Sequence, residues 1–476
     1  MNSEEFRRHG HDVVDWIADY LENSDRYPVM SRVQPGDIKA LVPDHAPEEG
    51  EPMETILEDF RRDSLPGVTH WNHPRFFAYF PANNSGPSIL GEMLSAGLGI
   101  NSMLWQTGPA ATELEEKVMD WLGELIGLPE GFHGVIQDTA STTTLCALVC
   151  AREKSTAFGI NATGPAGLAG ADALRIYTSR EAHSSVLKGA KIAGFGTDNV
   201  VLVDIGEDRA MDAADLDAKI TADLTDRLIP CCVVATVGTT GCTAIDRLSE
   251  IGPVAKKHGL WLHVDAALAG NAAILPEMRW ILDGAEFADS LVLNPHKWLL
   301  TNFDCSAYFV RDPDHLERTM SIHPEYLKTG RDREVNNYMD WGIPLGRRFR
   351  ALKLWFVLRS YGARRLREIV GGHMELAREF AGWVDAADSW ERLAPVPVNT
   401  VCFRWNPGGL AEERLNALNA ELVDRVNADG TIYLTHTKLD GVFTMRLAVG
   451  QRATGEEHVA EAWDVLRKVA AELPAE

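Results

Sequence analysis

Ser290-Leu291-Val292-Leu293-Asn294-Pro295-His296-Lys297-Trp298 is a short apolar run that stops at an Asn-Pro pair and is followed at once by a lysine. Its length, its apolar centre and the proline that ends it mark a strand buried on both faces. A lysine just past such a strand is poorly placed for a solvated surface role. An amine held in apolar surroundings loses proton affinity, and a neutral amine condenses with an aldehyde to give a Schiff base. Most lysines are solvated face residues, so Lys297 by itself decides nothing. Its upstream companions do.

Similar short runs recur from about 86 to 310: Gly134–Gln137, Ala173–Thr178, Val200–Asp204, Cys232–Val237, Leu260–Asp265 and Ser306–Val310. Helical patterns lie between several of them, at Thr142–Lys154, Ser184–Ala193, Ala213–Asp223 and Leu248–His258. That rhythm predicts an α/β fold, a mostly parallel sheet with helices on both faces. Ligands of such sheets bind beyond the carboxyl ends of the strands. Residues 1–85 read as helices joined by Pro-rich links, ending in the aromatic stretch His70–Pro81. Ser3 is the expected N-cap of a first amphipathic helix carrying Phe6, Val13, Ile17, Tyr20 and Leu21, which is expected to pack on its own protein. Residues 345–361 read as a linking helix, and the rest as a smaller α+β domain. The expected division is 1–85, 86–360 and 361–476.

Four further groups fall at predicted strand ends. Thr139-Ala140-Ser141 opens a helix, and a helix N-terminus with hydroxyls and free N–H groups suits a phosphate, although a plain N-cap has the same composition. Asp265 ends the strand that also carries His263. A carboxylate there can face a pyridine nitrogen and keep it protonated, or simply cap the next helix. His183, opening another helix, can lie over an aromatic ring or act as a core or capping histidine. Gly238-Thr239-Thr240-Gly241 ends a strand with glycines that let backbone approach a ligand. Each group is weak alone. Taken together in strand order, phosphate cradle, ring cover, ring-nitrogen carboxylate and Schiff-base lysine are the needs of pyridoxal 5′-phosphate.

Bulk properties agree with an enzyme of small molecules. The chain has 476 residues, 45% of them hydrophobic, and a net charge of −23, which argues against nucleic acid and anionic membranes as partners. The N-terminus is acidic where a secretory signal would be basic, and no apolar stretch reaches the length of a membrane span. The seven cysteines lack paired C-x-x-C spacing and sit in apolar runs, as reduced thiols of a cytoplasmic protein do.

On the stretches His70–Pro81, Ala182-His183-Ser184-Ser185, Trp261–Ala267, Phe287–Lys297 and Pro344-Leu345-Gly346-Arg347-Arg348-Phe349-Arg350, the chain resembles the group II pyridoxal-phosphate decarboxylases, and among them the aromatic-L-amino-acid decarboxylases. The resemblance implies fold type I, a homodimer with shared active sites, and an N-terminal segment packed on the partner subunit. It further implies Lys297 as the Schiff-base lysine, Asp265 as partner of the pyridine nitrogen and His183 as the stacked histidine. Thr139, Ala140, Ser141 and Asn294 match phosphate-contacting positions, and Thr240 and His296 match second contacts around cofactor and substrate. Tyr326 matches a loop tyrosine that reaches the neighbouring active site and protonates Cα. Trp71, Tyr79, Phe80 and Trp298 fall near the pocket for the aromatic side chain. Ala82, Gly86, Asn101 and Met103 depart from the animal enzymes there, and Gly346 leaves room for a large ring such as indole.

The implied activity is decarboxylation of an aromatic L-amino acid to the arylalkylamine. The nearest alternative is an aromatic acetaldehyde synthase on the same scaffold, which His183 and Tyr326 together disfavour. A non-aromatic amino acid as substrate is disfavoured by the aromatic cluster at 71–80. A metal hydrolase built on His183, His263, Asp265 and His296 lacks any H-x-x-x-H helix pair. A non-catalytic scaffold is disfavoured because every chemical position is filled.

Overall fold

The computed structural model describes residues 1–164, 173–322, 327, 330–331 and 334–474. The chain forms two compact units, one of residues 1–81, 379–391 and 403–476, the other of residues 82–378 and 392–402.

In chain order the main elements are α1 (Ser3–Glu22), α2 (Gly86–Leu98), α3 (Pro109–Ile126), β1 (His133–Gln137), α4 (Ala140–Ser155), β2 (Leu174–Ser179), α5 (Ser185–Ile192), β3 (Val200–Val203), α6 (Ala213–Thr225), β4 (Ile229–Thr236), α7 (Leu248–His258), β5 (Trp261–Asp265), β6 (Ser290–Leu293), α8 (Pro295–Trp298) and β7 (Ser306–Val310). After these come α9 (Arg350–Asp385), β8 (Trp390–Arg392), β9 (Thr400–Trp405), α10 (Glu412–Asp429), β10 (Thr435–Leu439), β11 (Val442–Ala448) and α11 (Glu456–Ala471). Each expected strand is present within a few residues of its expected bounds.

The larger sheet runs β1-β7-β6-β5-β4-β2-β3. Pairs β3–β2, β2–β4, β4–β5 and β5–β6 are parallel, while β7 is antiparallel to both β6 and β1. A parallel return needs a long crossover, and the connection after β6 contains only the single turn α8, so β7 comes straight back. The central strands β5, β6 and β7 are buried along their whole length, as a sheet covered on both faces requires. The carboxyl ends of β5 and β6, with those of β1, β2 and β4, lie along one edge, because β1 and β6 both oppose β7 and therefore run the same way.

Two expectations about helices change. The N-cap of α1 is Asn2, whose side chain accepts the Glu4 and Glu5 N–H groups at 2.9 Å while Glu5 returns a bond to the Asn2 N–H at 2.7 Å. Placing Glu5 at N3 closes this capping box one residue earlier than a Ser3 cap would. The apolar face of α1 is only partly covered, with Trp16 packed edge-on against Phe60 but Phe6 68% exposed. The linking helix begins at Arg350 instead of 345, since Pro344 and Gly346 keep the preceding turn non-helical. It runs on to Asp385 through a break at Gly362, where φ is +66°.

In the first unit, residues 70–81 join the C-terminal part of the chain. The Phe77 N–H donates to the Tyr433 carbonyl, the Ala448 N–H to the Phe77 carbonyl, and Arg75 pairs with Glu461 at 2.7 Å. Among the described residues no helix is long and apolar enough to cross a membrane.

Gly238, at the turn after β4, has φ +93°, and a Cβ there would lie 2.6 Å from the Ala269 Cβ. Gly238→Ala is expected to destabilise the protein by about 2 kcal/mol or more, from left-handed strain and contact combined, read as a lower urea midpoint.

Candidate active site

Asp265 ends β5 in register with Thr236 of β4 and Val292 of β6, so three carboxyl ends meet around it. It is 5% exposed, and its Oδ1 accepts the Ala267 N–H at 3.1 Å. Lys297 sits on the single turn α8, where Pro295 begins the turn and the Lys297 N–H returns to the Asn294 carbonyl at 2.9 Å. Asn83 fixes the turn from outside, donating from Nδ2 to the Lys297 carbonyl at 3.0 Å.

The Lys297 amine lies deep in the protein. Desolvation lowers its proton affinity, and Asp265 pulls the other way. His183 belongs to the same electrostatic group: desolvation lowers its affinity first, Asp265 opposes and Lys297 reinforces. Its Nδ1 accepts the Ser185 N–H at 3.1 Å, so the histidine caps α5. A neutral ring in that position carries its proton on Nε2. The two sequence readings of His183, cap and ring cover, are therefore compatible.

The opening of α4 has the features of an anion cradle. Thr139 is its N-cap but makes no side-chain cap bond, and among the described residues the N–H groups of Ala140 and Ser141 have no acceptor. Ser141 is exposed beside them. A sixteen-residue helix with its first donors open suits a phosphate. The donor set thus fits pyridoxal phosphate at each end: open N–H groups for the phosphate, a carboxylate for the ring nitrogen and an amine of depressed affinity for the aldehyde.

Other expected contacts are placed differently. Asn294 is buried, and its Oδ1 accepts from Ser306 Oγ at 2.6 Å. His296 is also buried; its Nδ1 accepts the Cys305 N–H at 2.9 Å and its ring lies 4.5 Å from that of Phe303. Thr240 is exposed, whereas its neighbour Thr239 is buried and holds the turn by accepting the Ala244 N–H at 3.0 Å. His263 is wholly buried, its Nδ1 2.9 Å from Ser290 Oγ and its Nε2 3.5 Å from Thr144 Oγ1, which commits both ring nitrogens to protein partners.

Trp298 is 0% exposed and donates its indole N–H to His373 Nδ1 at 2.9 Å, so its ring packs in the core. Adjacent positions on a helix point about 100° apart, so the turn aims Lys297 and Trp298 in different directions. Asn101, Met103 and Gly346 do come together: Asn101 Oδ1 accepts the Arg347 N–H at 2.9 Å, and its Nδ2 lies 3.7 Å from Met103 Sδ. Ala82 is half-buried. In the other unit, Trp71 stacks on Tyr79 at 5.7 Å, and Arg446 lies over Phe80. Tyr433 extends that cluster, its hydroxyl 3.3 Å from that of Tyr79. Neither Tyr433 nor Asn83 stands out in the sequence, because their contacts span 354 and 214 residues. Tyr326 lies outside the described residues.

Residues 35–406 match the model of the pyridoxal-dependent decarboxylase conserved domain. The chain belongs to the pyridoxal-dependent decarboxylase family. The decarboxylase is 44% identical to a phenylacetaldehyde synthase of Arabidopsis thaliana over 99% of this chain and 97% of the relative. It is 43% identical to tyrosine decarboxylase 4 of Petroselinum crispum, over 98% of this chain and 93% of the relative. Among solved structures, the crystal structure of Oryza sativa TDC with PLP and tryptamine superimposes with a TM-score of 0.95 at 36% identity, covering 99% of each chain. Fold type I, expected from the sequence, is the observed architecture.

Burial holds His263 down to about 4 and His296 to about 3. Both are neutral when folded, while in the unfolded chain they take up a proton near pH 6.5. Their stabilisation is therefore complete above about pH 6.5 and is lost as pH falls toward 4 and 3, by about 1.4 kcal/mol per pH unit for each. Urea midpoints measured from pH 7 to pH 4 are expected to fall, with a shallower slope in His263→Gln.

Proposed function

We propose that this decarboxylase removes the α-carboxylate of an aromatic L-amino acid to give the arylalkylamine and CO2, with Lys297, Asp265, His183 and Tyr326 as its catalytic residues. The observation that carries the reading is the shared electrostatic environment of Lys297, Asp265 and His183 at one edge of the sheet, next to the open N-terminus of α4. The aromatic substrate class is supported by tyrosine decarboxylase and by the tryptamine-bound TDC among the similar proteins.

Pyridoxal phosphate, when bound, supplies an aldehyde that takes up amines and a protonated ring that accepts the electrons of the breaking bond to the carboxylate. Lys297 Nζ, its proton affinity lowered by burial, is the amine that would hold the aldehyde. The carboxylate of Asp265 keeps a proton on the facing ring nitrogen, a charge-assisted contact strengthened by its low exposure. His183 covers the ring face, and the backbone N–H groups of Ala140 and Ser141, with the side chains of Thr139 and Ser141, bind the phosphate. Asn294, His296 and Thr240 complete the surroundings of cofactor and substrate. Tyr326 delivers the proton to Cα from its phenol oxygen. Trp71, Tyr79, Phe80, Ala82, Asn101, Met103 and Gly346 shape the place of the aromatic ring.

We read the active form as a cytoplasmic homodimer with shared sites, the segment 1–85 packing on the partner subunit. One face of α2 supports this, with Leu90 51%, Leu94 52% and Leu98 59% exposed, as does the exposed Phe6. The seven cysteines are all buried and none is in a disulfide, as in a reducing compartment.

The deciding experiment incubates the purified protein with L-tryptophan, 5-hydroxytryptophan, dopa, tyrosine and phenylalanine and quantifies CO2, amine and peroxide. Amine and CO2 in equal amounts support the proposal. Aldehyde with equimolar peroxide points to the synthase reading, which the similarity to phenylacetaldehyde synthase keeps open. Lys297→Ala is expected to abolish both turnover and the visible absorbance of the loaded protein; a yellow, active variant overturns that assignment. Tyr326→Phe is expected to slow amine formation by about a hundredfold or more, the usual worth of a positioned proton donor, and to divert turnover to aldehyde, ammonia and peroxide. Normal amine yield at the normal rate removes Tyr326 from the mechanism.

A further inference from the structure

Glu115 and Arg347 form an ion pair in which Nη2 of the arginine donates to Glu115 Oε1 at 2.6 Å, with side chains 2% and 7% exposed. Both groups also bind one residue of β1. Nη2 donates to the Ile136 carbonyl at 2.8 Å, and Glu115 Oε1 accepts the Ile136 N–H at 2.7 Å. β1 is the last strand of its sheet, so these backbone groups point to an edge where no further strand pairs with them. The ion pair takes the place of a neighbouring strand.

The backbone of Arg347 is engaged as well. Its N–H donates to Asn101 Oδ1, and its carbonyl accepts the Ser102 N–H at 3.0 Å and Ser102 Oγ at 3.1 Å. Further along, the Met339 N–H donates to the Met103 carbonyl, and the Trp105 N–H to Asn337 Oδ1 at 3.0 Å. The Arg347 guanidinium lies 4.9 Å over the ring of Tyr338, whose hydroxyl donates to the Gly134 carbonyl. Segments 101–105 and 337–348 are thus laced to each other, and Arg347, together with Tyr338 and Trp341, ties them to β1 of the sheet.

We propose that the Glu115–Arg347 pair is a positioning clamp that holds Asn101, Met103 and Gly346 as the wall against which the substrate ring is sized. The proposal rests on the functional reading above, in which those three residues meet the substrate. A buried ion pair gains little over apolar residues of the same shape, so net stability is a poor reason for one here. Geometric definition is the better one: the two N–H groups of Nη2 lie in the plane of a rigid guanidinium, aimed at the Glu115 carboxylate and the Ile136 carbonyl, whereas an ammonium on a flexible stem has no fixed directions. Met103 also packs in a cluster with Leu104, Met339 and Leu327, so the same clamp seats the residue that follows Tyr326.

Arg347→Lys keeps the charge and loses the planar, directed donors. Expected are a rise in KM for L-tryptophan of about tenfold with kcat within about threefold, and a smaller ratio of kcat/KM between L-tryptophan and L-phenylalanine, the pattern of a lost binding geometry. Hydrogen–deuterium exchange is expected to quicken at 101–105 and 337–348 and nowhere else. Unchanged KM, ratio and exchange overturn the clamp, as does a fall in kcat alone. Should Arg347→Lys fail to fold, Ser102→Ala, which removes one strap to the Arg347 carbonyl, is expected to shift the same quantities less far. Wild-type values in that variant also overturn it. If the parent protein turns over neither amino acid, the functional reading fails, while the exchange pattern still judges the clamp.

Discussion

The coexistence of an amine and a carboxylate in one dry place governs this structure. In the proposed mechanism Lys297 sheds a proton to act as a nucleophile, which desolvation favours, and the carboxylate of Asp265 faces a ring nitrogen. Asp265 works against the deprotonation of Lys297. A parallel sheet offers a way to keep both, because the carboxyl ends of adjacent strands place side chains from distant parts of the chain around one cleft. Burial then acts on the amine, and the carboxylate is steadied by the Ala267 N–H.

The scaffold around that pair spends backbone hydrogen-bonding groups sparingly. The turn α8 is a single turn begun by a proline and held by Asn83, which fixes Lys297 without using its side chain. The opening of α4 leaves its first donors uncommitted, where a side-chain cap would have filled them. His183 does the opposite and caps α5 with Nδ1, which sets both the direction of its ring and the nitrogen that carries the proton. One helix start is left open, and the other is closed by a histidine side chain.

Much of this was legible in the residues. The central strands of this sheet are buried along their length, so they stand out as short apolar runs ended by Asn, Pro, Asp or Gly, and every expected strand is present. Candidate site residues were legible because a parallel sheet gathers strand ends, whatever lies between them. Neighbours in sequence part company in space, which local patterns do not show. Trp298 follows Lys297 directly and packs in the core, since a helical turn points the two in different directions. Asn2 took the cap expected of Ser3 because the Glu5 side chain could reach back to it. The helix expected from 345 starts at Arg350 because the turn before it is bound through Arg347 to Asn101 and Ser102.

The sequence by itself determined the strand order of chemistry along the chain: a hydroxylic helix opening at 139–141, a histidine at 183, a carboxylate at 265 and a lysine at 297. It also determined the buried character of the strands that carry them, because both are properties of local residue type and spacing. Only tertiary structure decided which of those side chains share a solvent-poor space, that Trp298 and His296 are enclosed, and that Glu115 meets Arg347. Contacts across 232 residues, as in that last pair, depend on how whole elements pack, and no local pattern encodes the packing of one element against another.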